Sequence, residues 1–155
     1  MKLYWDQAKL VVKRRYIDKE VTKMTWLRAF LPAIVFDERR GNGNHMELFL
    51  DSGAELSFVS LSLVPNHPLI VTPFNNLVST LGGSVPVLGK TTLNFWAGPG
   101  GHFDQEVVVV PGEQVPTLGI DWMCHYGIVL DFHQRKVIYQ GDVFPMFLKN
   151  RWGYI

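Results

Sequence analysis

The most informative segment of the sequence is Leu48-Phe49-Leu50-Asp51-Ser52-Gly53-Ala54, an apolar run that ends in an acid, a hydroxyl and a glycine. An aspartate that leaves a buried strand lies in a low dielectric and needs hydrogen bonds to stay ordered. Gly53 lacks a Cβ, so backbone N–H groups can approach the Asp51 carboxylate, and Ser52 adds a short donor and acceptor beside it. Taken alone, such a triplet is more often a plain turn that begins a loop.

Two further segments change that interpretation. Thr117-Leu118-Gly119-Ile120-Asp121-Trp122-Met123 has an apolar residue and a glycine before a predicted short helix, and its Gly119 lies 68 residues after Asp51. Between the two segments, Leu77 to Leu81 reads as a strand that turns at Gly82-Gly83-Ser84 into a return strand, which predicts a hairpin. In this order, the three segments resemble the retropepsins, the aspartic proteases of retroviruses and LTR retrotransposons, over residues 27–140.

The resemblance assigns a role to each segment. It implies that Asp51 is catalytic and that Ser52, Gly53 and Ala54 support the catalytic loop, with the Ser52 hydroxyl bonding across two such loops. It implies a structural role for the second signature, in which the glycine packs under the catalytic loop; its residues are Leu118, Gly119 and Asp121. The hairpin resembles the flap that closes over bound peptide, with Leu81, Gly82, Gly83, Ser84 and Val85 as its substrate-binding residues.

The number of catalytic loops predicts the assembly. Asp51 is the only aspartate in the sequence that is followed by Ser or Thr and then Gly. Peptide hydrolysis by this chemistry needs two carboxyl groups that share one proton, one to deprotonate a water molecule and one to polarise the scissile carbonyl. The second carboxyl group must therefore come from another copy of the chain, so we predict a homodimer with a two-fold axis between the two Asp51 side chains and activity on the acid side of neutrality.

Length and composition set the fold class. A chain of 155 residues with 47% hydrophobic positions suits one globular domain, and its Val, Ile, Thr and Phe clusters between Gly and Pro favour short strands. We predict an all-β protein with a retropepsin-like closed barrel, one short helix from Asp121 to Tyr126 closed by Gly127, and the half-site of a pepsin-type enzyme. Hairpins are predicted at the Gly41 to Asn44 turn, at the Gly82 to Ser84 turn with a return strand from Val85 to Trp96, and at His133 to Arg135 between the strands Ile128 to Phe132 and Lys136 to Tyr139. The valines of Gln105 to Val110 are predicted to be buried on both faces of a strand, and the apolar spacing within residues 1–28 suits a helix. The predicted domains are a basic N-terminal arm (1–28), the protease domain (29–142) and an apolar C-terminal tail (143–155).

The charge distribution bears on possible binding partners, and the cysteine count bears on the cellular compartment. Residues 1–40 carry ten Lys and Arg against five Asp and Glu, a net charge of +5, and the remaining residues carry five against nine, a net charge of −4. A basic arm can bind RNA, although an arm with both signs is more often a solvated segment. The single cysteine, Cys124, forms no intrachain disulfide, and neither a signal peptide nor a membrane span is visible. We therefore expect a soluble protein of the cytoplasm or of virus-like particles, not secreted.

Cofactor motifs are not predicted. The five histidines show neither HExxH nor paired-cysteine spacing, which argues against a metal site. Gly83 to Thr91 differs from a phosphate-binding loop, because five residues separate its glycines where four are required and Pro86 lies between them. We expect no cofactor and no metal.

The predicted function is that of an aspartic endopeptidase that cleaves extended peptides, with the polyprotein of a retroelement as the substrate implied by the resemblance. Three alternatives stay open. The chain could be a catalytically silent dimerisation or peptide-binding module that kept the fold, a domesticated cellular protease, or an RNA-binding protein that uses its basic arm.

Overall fold

The computed structural model describes residues 27–36, 43–65, 67, 70–71, 77–80, 83–150 and 152–155. The chain divides into two compact units, residues 29–147 and a second unit of residues 1–28 with 148–155. The basic N-terminal arm and its predicted helix lie outside the described residues, apart from Leu27 and Arg28. The predicted domain boundaries at residues 28 and 142 stay predictions.

Strands dominate the described residues, as predicted. In chain order the strands are β1 (Arg28–Phe36), β2 (Gly43–Leu50), β3 (Phe58–Ser60), β4 (Ile70–Val71), β5 (Leu77–Thr80), β6 (Gly83–Pro86), β7 (Gly89–Trp96), β8 (His102–Val110), β9 (Thr117–Leu118), β10 (Val129–Asp131), β11 (Lys136–Tyr139), β12 (Asp142–Pro145), β13 (Phe147–Asn150) and β14 (Gly153–Tyr154). One 3-10 turn covers Leu61–Leu63, and helix α1 covers Ile120–Tyr126.

Six strands of the larger unit close into a barrel. Strand β1 pairs antiparallel with β2, and β2 pairs parallel with β9. Strand β9 pairs antiparallel with β3, β3 pairs parallel with β8, and β8 pairs antiparallel with β7. The barrel closes where β7 pairs with β1 through Ile34 opposite Trp96 and Val35 opposite Phe95. Among the residues that the structure describes, the predicted closed, mostly β barrel with one short helix is confirmed, and closure leaves few unpaired strand edges.

The burial of each strand follows its pairing. Along β7, buried and more exposed residues largely alternate, as expected for a strand with one face toward the core. The second half of β8, Val107–Val110, is buried without alternation, so both of its faces are covered. Val108 and Val110 form a buried cluster with Phe58, against which Val78, Val85 and Val87 pack. The sequence predicted this run of valines to be buried on both faces, and that is confirmed.

Helix α1 is anchored to the barrel by aromatic rings. Phe103 of β8 lies at the centre of this cluster, with its ring centroid 4.9 to 6.4 Å from the centroids of Phe95, Trp122, Tyr126, Tyr139 and Phe144. Each such pair adds about 0.5 to 1.5 kcal/mol beyond the burial of its area. Gly127 ends the helix with φ +63°, where a residue without a Cβ is favoured, as the sequence predicted.

The predicted hairpins differ from the structure at their turns. Gly43 and Asn44, predicted as part of a turn, already pair with Phe36 and Val35 in the β1–β2 ladder. The predicted return strand from Val85 to Trp96 is divided into β6 and β7, because the chain leaves its pairing with β5 after Pro86 and the Leu88 N–H then donates to the Val109 carbonyl at 2.8 Å. The flap hairpin is therefore a separate two-stranded sheet.

The last strands extend beyond the predicted final hairpin. Strands β10 and β11 pair as predicted, and β11 also pairs antiparallel with β12, which buries Phe144. In the smaller unit, β13 and β14 pair through Lys149 opposite Tyr154. Among the described residues, no helix is long and apolar enough to cross a membrane.

Candidate active site

Strand β2 ends directly before Asp51 and so places this residue at the end of the barrel wall. Leu48, Phe49 and Leu50 are buried, and the chain emerges at Asp51, which is half-buried. The parallel pairing of β2 with β9 continues one step further, because the Asp51 N–H donates to the Leu118 carbonyl at 3.0 Å. The backbone of Asp51 is therefore fixed by the same ladder that holds the second signature.

The loop after Asp51 is a tight turn around its carboxylate. The Gly53 N–H donates to Asp51 Oδ1 at 3.0 Å, and the Ala54 N–H donates to the Asp51 carbonyl at 3.1 Å. In the described part of the chain, the other carboxylate oxygen, Oδ2, accepts no hydrogen bond. Ser52 and Gly53 are exposed. The turn thus orients one carboxylate oxygen and presents the rest of the group at the surface.

Gly119 lies directly against this loop. A Cβ on Gly119 would lie 2.6 Å from the Ala54 carbonyl oxygen and 3.0 Å from the carbonyl carbon and oxygen of Leu56. The next residue continues the contact, because the Ile120 N–H donates to the Ala54 carbonyl at 2.8 Å. The two signatures are therefore in backbone contact, and only a glycine fits between them without a shift.

Asp121 bonds to the far end of the loop. Its two carboxylate oxygens accept the N–H of Ser57 at 2.9 Å and the Ser57 hydroxyl at 2.7 Å. Gln105 of β8 donates to the same carboxylate at 3.3 Å, and the Trp122 N–H donates at 2.8 Å. The sequence alone does not mark Ser57 and Gln105 as site residues. The one signal in the sequence is a serine before the buried run of β3, and it does not reveal a partner 64 residues away.

Three of the five predicted flap residues lie in the described part of the chain. Gly83, Ser84 and Val85 lie on β6, and Thr80 Oγ1 donates to the Gly83 carbonyl at 2.7 Å to close the hairpin. Leu81 and Gly82 lie outside the described residues. The hairpin is attached to the barrel through apolar residues, because Val78 and Val85 pack with Val87 against the buried cluster of Phe58, Val108 and Val110.

Helix α1 also carries two chemically capable side chains, those of Cys124 and His125. Cys124 is exposed on helix α1 and His125 is the next residue on the same helix, where neighbouring side chains point in different directions. Within the described ranges, no group of three or more His, Cys, Asp or Glu side chains is arranged to hold a metal ion.

Comparison with known proteins agrees with this geometry. A family model described as retroviral aspartyl protease matches residues 32–143. Among solved structures, the retroviral protease-like domain of Ddi1 from Leishmania major matches with a TM-score of 0.57 at 12% identity, over 77% of this chain and 92% of that domain. The EIAV protease complexed with the inhibitor HBY-793 matches with a TM-score of 0.49 at 17% identity, over 68% of this chain and 93% of that one.

A search of curated proteins found no match. The family match covers most of the barrel, both signatures and the flap hairpin, and the Ddi1 domain shares the fold. The resemblance that the sequence indicated is thereby confirmed, and the chain belongs to the retroviral aspartyl protease family.

Proposed function

We propose that this chain is an aspartic endopeptidase in which two copies pair and each contributes Asp51 to one catalytic dyad. The observation that carries the proposal is the Asp51 loop itself: a half-buried carboxylate, held through Oδ1 by the Gly53 N–H and presented beside an exposed turn. Asp121, by contrast, uses both of its carboxylate oxygens in hydrogen bonds with donors of the fold.

The chemistry follows from two such carboxyl groups that share one proton. The ionised group removes a proton from a water molecule, and the protonated group donates a hydrogen bond to the scissile carbonyl oxygen. The hydroxide adds to the carbonyl carbon to give a tetrahedral intermediate. The C–N bond then breaks as a carboxyl proton passes to the leaving amine, and the acid and amine products depart. No step requires a metal or a cofactor.

Exposed apolar residues beside the loop support pairing of two copies. Leu56, within the loop, is 48% exposed, and Ile120, hydrogen-bonded to the loop, is 42% exposed. Covering these two side chains with a partner would remove apolar area from water, which favours association. A second copy across a two-fold axis would cover them and bring its own Asp51 opposite the first.

The substrate class that we propose is an extended peptide, within a polyprotein such as that of a retroelement. The β5–β6 hairpin pairs only with itself among the described residues, and β-strand addition to such a hairpin is a common way to bind an extended chain. Alternate side chains of the peptide would enter apolar pockets. The polyprotein follows from family membership and not from a contact in the structure.

Cleavage of a mixed peptide library at mildly acid pH, measured over a dilution series of the full chain, tests the proposal. We expect the rate to fall faster than linearly on dilution, because active dimers dissociate. We also expect it to decline as pH rises, because the reaction needs one proton shared between the two carboxyl groups. A folded chain that is shown to be dimeric and cleaves nothing at any concentration or pH would replace this proposal with the silent peptide-binding module.

Ser52→Ala tests the predicted contact across the two loops. The Ser52 hydroxyl lies on the exposed turn, so its removal should leave each barrel intact. A neutral hydrogen bond contributes about 1 kcal/mol, so we expect the dimer dissociation constant to rise about fivefold to thirtyfold for the two symmetric bonds. Analytical ultracentrifugation measures the constant, and kcat at saturating dimer should change little.

The matched control is Ser62→Ala, which removes an exposed hydroxyl from the 3-10 turn after β3. It should leave the dimer constant unchanged. Equal dissociation constants for Ser52→Ala and the parent chain would contradict the predicted role of Ser52.

A further inference from the structure

The Asp121 carboxylate accepts four hydrogen bonds. Oδ1 accepts the Ser57 hydroxyl and the Trp122 N–H, and Oδ2 accepts the Ser57 N–H and the Gln105 side-chain amide. All four groups are donors, so they match a carboxylate, which has only acceptors. An asparagine in the same place would present an NH₂ group to two donors.

Ser57 receives these bonds at the junction between the Asp51 loop and strand β3. Ser57 is fully buried, and each of its polar groups forms a hydrogen bond. The N–H and hydroxyl donate to Asp121, and the hydroxyl oxygen also accepts the Gly119 N–H at 2.9 Å. The Ser57 carbonyl accepts the Val108 N–H at 3.0 Å. Ser57 thus connects the loop to β8, to the glycine of the second signature and to the helix.

The loop that carries Asp51 is consequently held at both ends by the same segment. At its start, the Asp51 N–H donates to the Leu118 carbonyl, and near its middle the Ala54 carbonyl accepts the Ile120 N–H. At its end, Asp121 holds Ser57. Residues 118–121 therefore contact residues 51–57 from the start of the loop to its end. The backbone supplies the contacts at the start and middle, and the Asp121 side chain supplies those at the end.

We infer that Asp121 and Ser57 are positioning residues for Asp51, and that the Asp121 carboxylate fixes the loop in the geometry that catalysis needs. The inference rests on the proposed peptidase function of Asp51. Neither residue lies at the reacting atoms: Ser57 is buried, and the Asp121 oxygens are occupied by donors of the fold. Their effect on the reaction passes through the loop.

Asp121→Asn in the full chain is the decisive variant. We expect kcat to fall about tenfold or more while KM changes less than about threefold, because an altered loop misplaces the reacting group and leaves peptide binding by the flap in place. The control is Asp131→Asn, which changes another aspartate whose Oδ1 accepts a backbone N–H, that of Gln134 at 2.9 Å, at the end of β10. It should leave kcat unchanged.

Amide hydrogen exchange gives a second measurement that does not depend on cleavage. In Asp121→Asn, we expect the amides of Gly119, Ile120 and Asp51 to exchange at least about tenfold faster than in Asp131→Asn, because the hydrogen bonds between the loop and residues 118–121 open more often. Ser57→Ala removes only the hydroxyl and should reproduce part of both effects. In the double variant, the losses should be less than additive, because both residues act through one contact.

The outcomes separate the two proposals. If the parent chain cleaves peptides and Asp121→Asn retains its kcat with unchanged exchange in the loop, the positioning role is wrong and the peptidase proposal stands. If the parent chain cleaves nothing, the peptidase proposal fails. In that case, unchanged exchange overturns the positioning role too, and faster exchange confined to the loop supports the claim that Asp121 fixes its geometry.

Discussion

Replacing Asp51 by Asn is expected to lower the rate of peptide hydrolysis by about 1,000-fold or more. An amide cannot accept the proton of the attacking water, and two neutral amides cannot replace a pair of carboxyl groups that share one proton. The fold should survive the change. The Asn side-chain oxygen can still accept the Gly53 N–H, so the free energy of unfolding should change by no more than about 1 kcal/mol.

Asp131→Asn is the matched control for this variant as well. Asp51 follows the last residue of β2 and Asp131 is the last residue of β10; in both, Oδ1 accepts a backbone N–H, but Asp131 lies on the β10–β11 hairpin. The comparison separates the general effect of removing a carboxylate from a turn from the specific effect of removing the Asp51 carboxylate. Steady-state cleavage of a peptide substrate measures the rates, and denaturant unfolding shows that both variants are folded. Similar rates for the two variants would contradict a catalytic role for Asp51.

Mixing chains tests whether one dyad draws on two copies. At fixed total concentration, equal amounts of parent and Asp51→Asn chains that pair at random give about one quarter of dimers with two intact carboxyl groups. Activity should therefore fall to about one quarter of the value for the parent chain alone. Independent chains, each active by itself, would retain about half, and that result would overturn the shared dyad even if Asp51 is essential.

Local patterns in the sequence predicted the parts of this fold that local physics determines. The apolar run before Asp51 predicted a buried strand, and β2 ends at Leu50. The spacing after Gly119 predicted a short helix closed by Gly127, and helix α1 ends at Tyr126 with Gly127 in the left-handed conformation. In both cases the residues that set the backbone are neighbours in the chain, so a window of a few residues contains the cause.

Contacts between distant segments could not be predicted in the same way. The bonds from Ser57 and Gln105 to Asp121 cross 64 and 16 residues, and they depend on which strands of the barrel become neighbours. A buried serine and a buried glutamine give no partner from spacing alone. Strand β9 has only two residues, yet it joins β2 to β3 because both edges of the barrel wall need a partner there.

For the flap, the sequence predicted the hairpin itself but not its junction with the barrel. The flap residues predicted a hairpin correctly, and β5 pairs with β6 from Leu77 opposite Pro86 to Thr80 opposite Gly83. The sequence did not predict where the hairpin separates from the barrel. The apolar character continues from β6 into β7, while the separation depends on the hydrogen bond from the Leu88 N–H to Val109 of a distant strand.

Gly119 is the position where the geometry of the site leaves least room. Its φ of −98° and ψ of −167° are accessible to any residue, so an added side chain would meet no backbone strain. The obstacle is space. A Cβ would lie 2.6 Å from the Ala54 carbonyl oxygen and 3.0 Å from two backbone atoms of Leu56. Because these are backbone atoms of the Asp51 loop, no side-chain rotation can relieve the contact.

Gly119→Ala is therefore expected to displace the loop, lowering the free energy of unfolding by about 1 to 3 kcal/mol and kcat by about 100-fold. The control is Gly141→Ala, where φ is +84° and no atom lies within 4 Å of the added Cβ. That control should cost about 1 to 2 kcal/mol from backbone strain and leave kcat near the parent value. Denaturant unfolding and steady-state cleavage measure both quantities. Only the methyl group added at Gly119 would contact the Asp51 loop. Equal stability and equal kcat in the two variants would therefore show that this close contact does not set the position of Asp51.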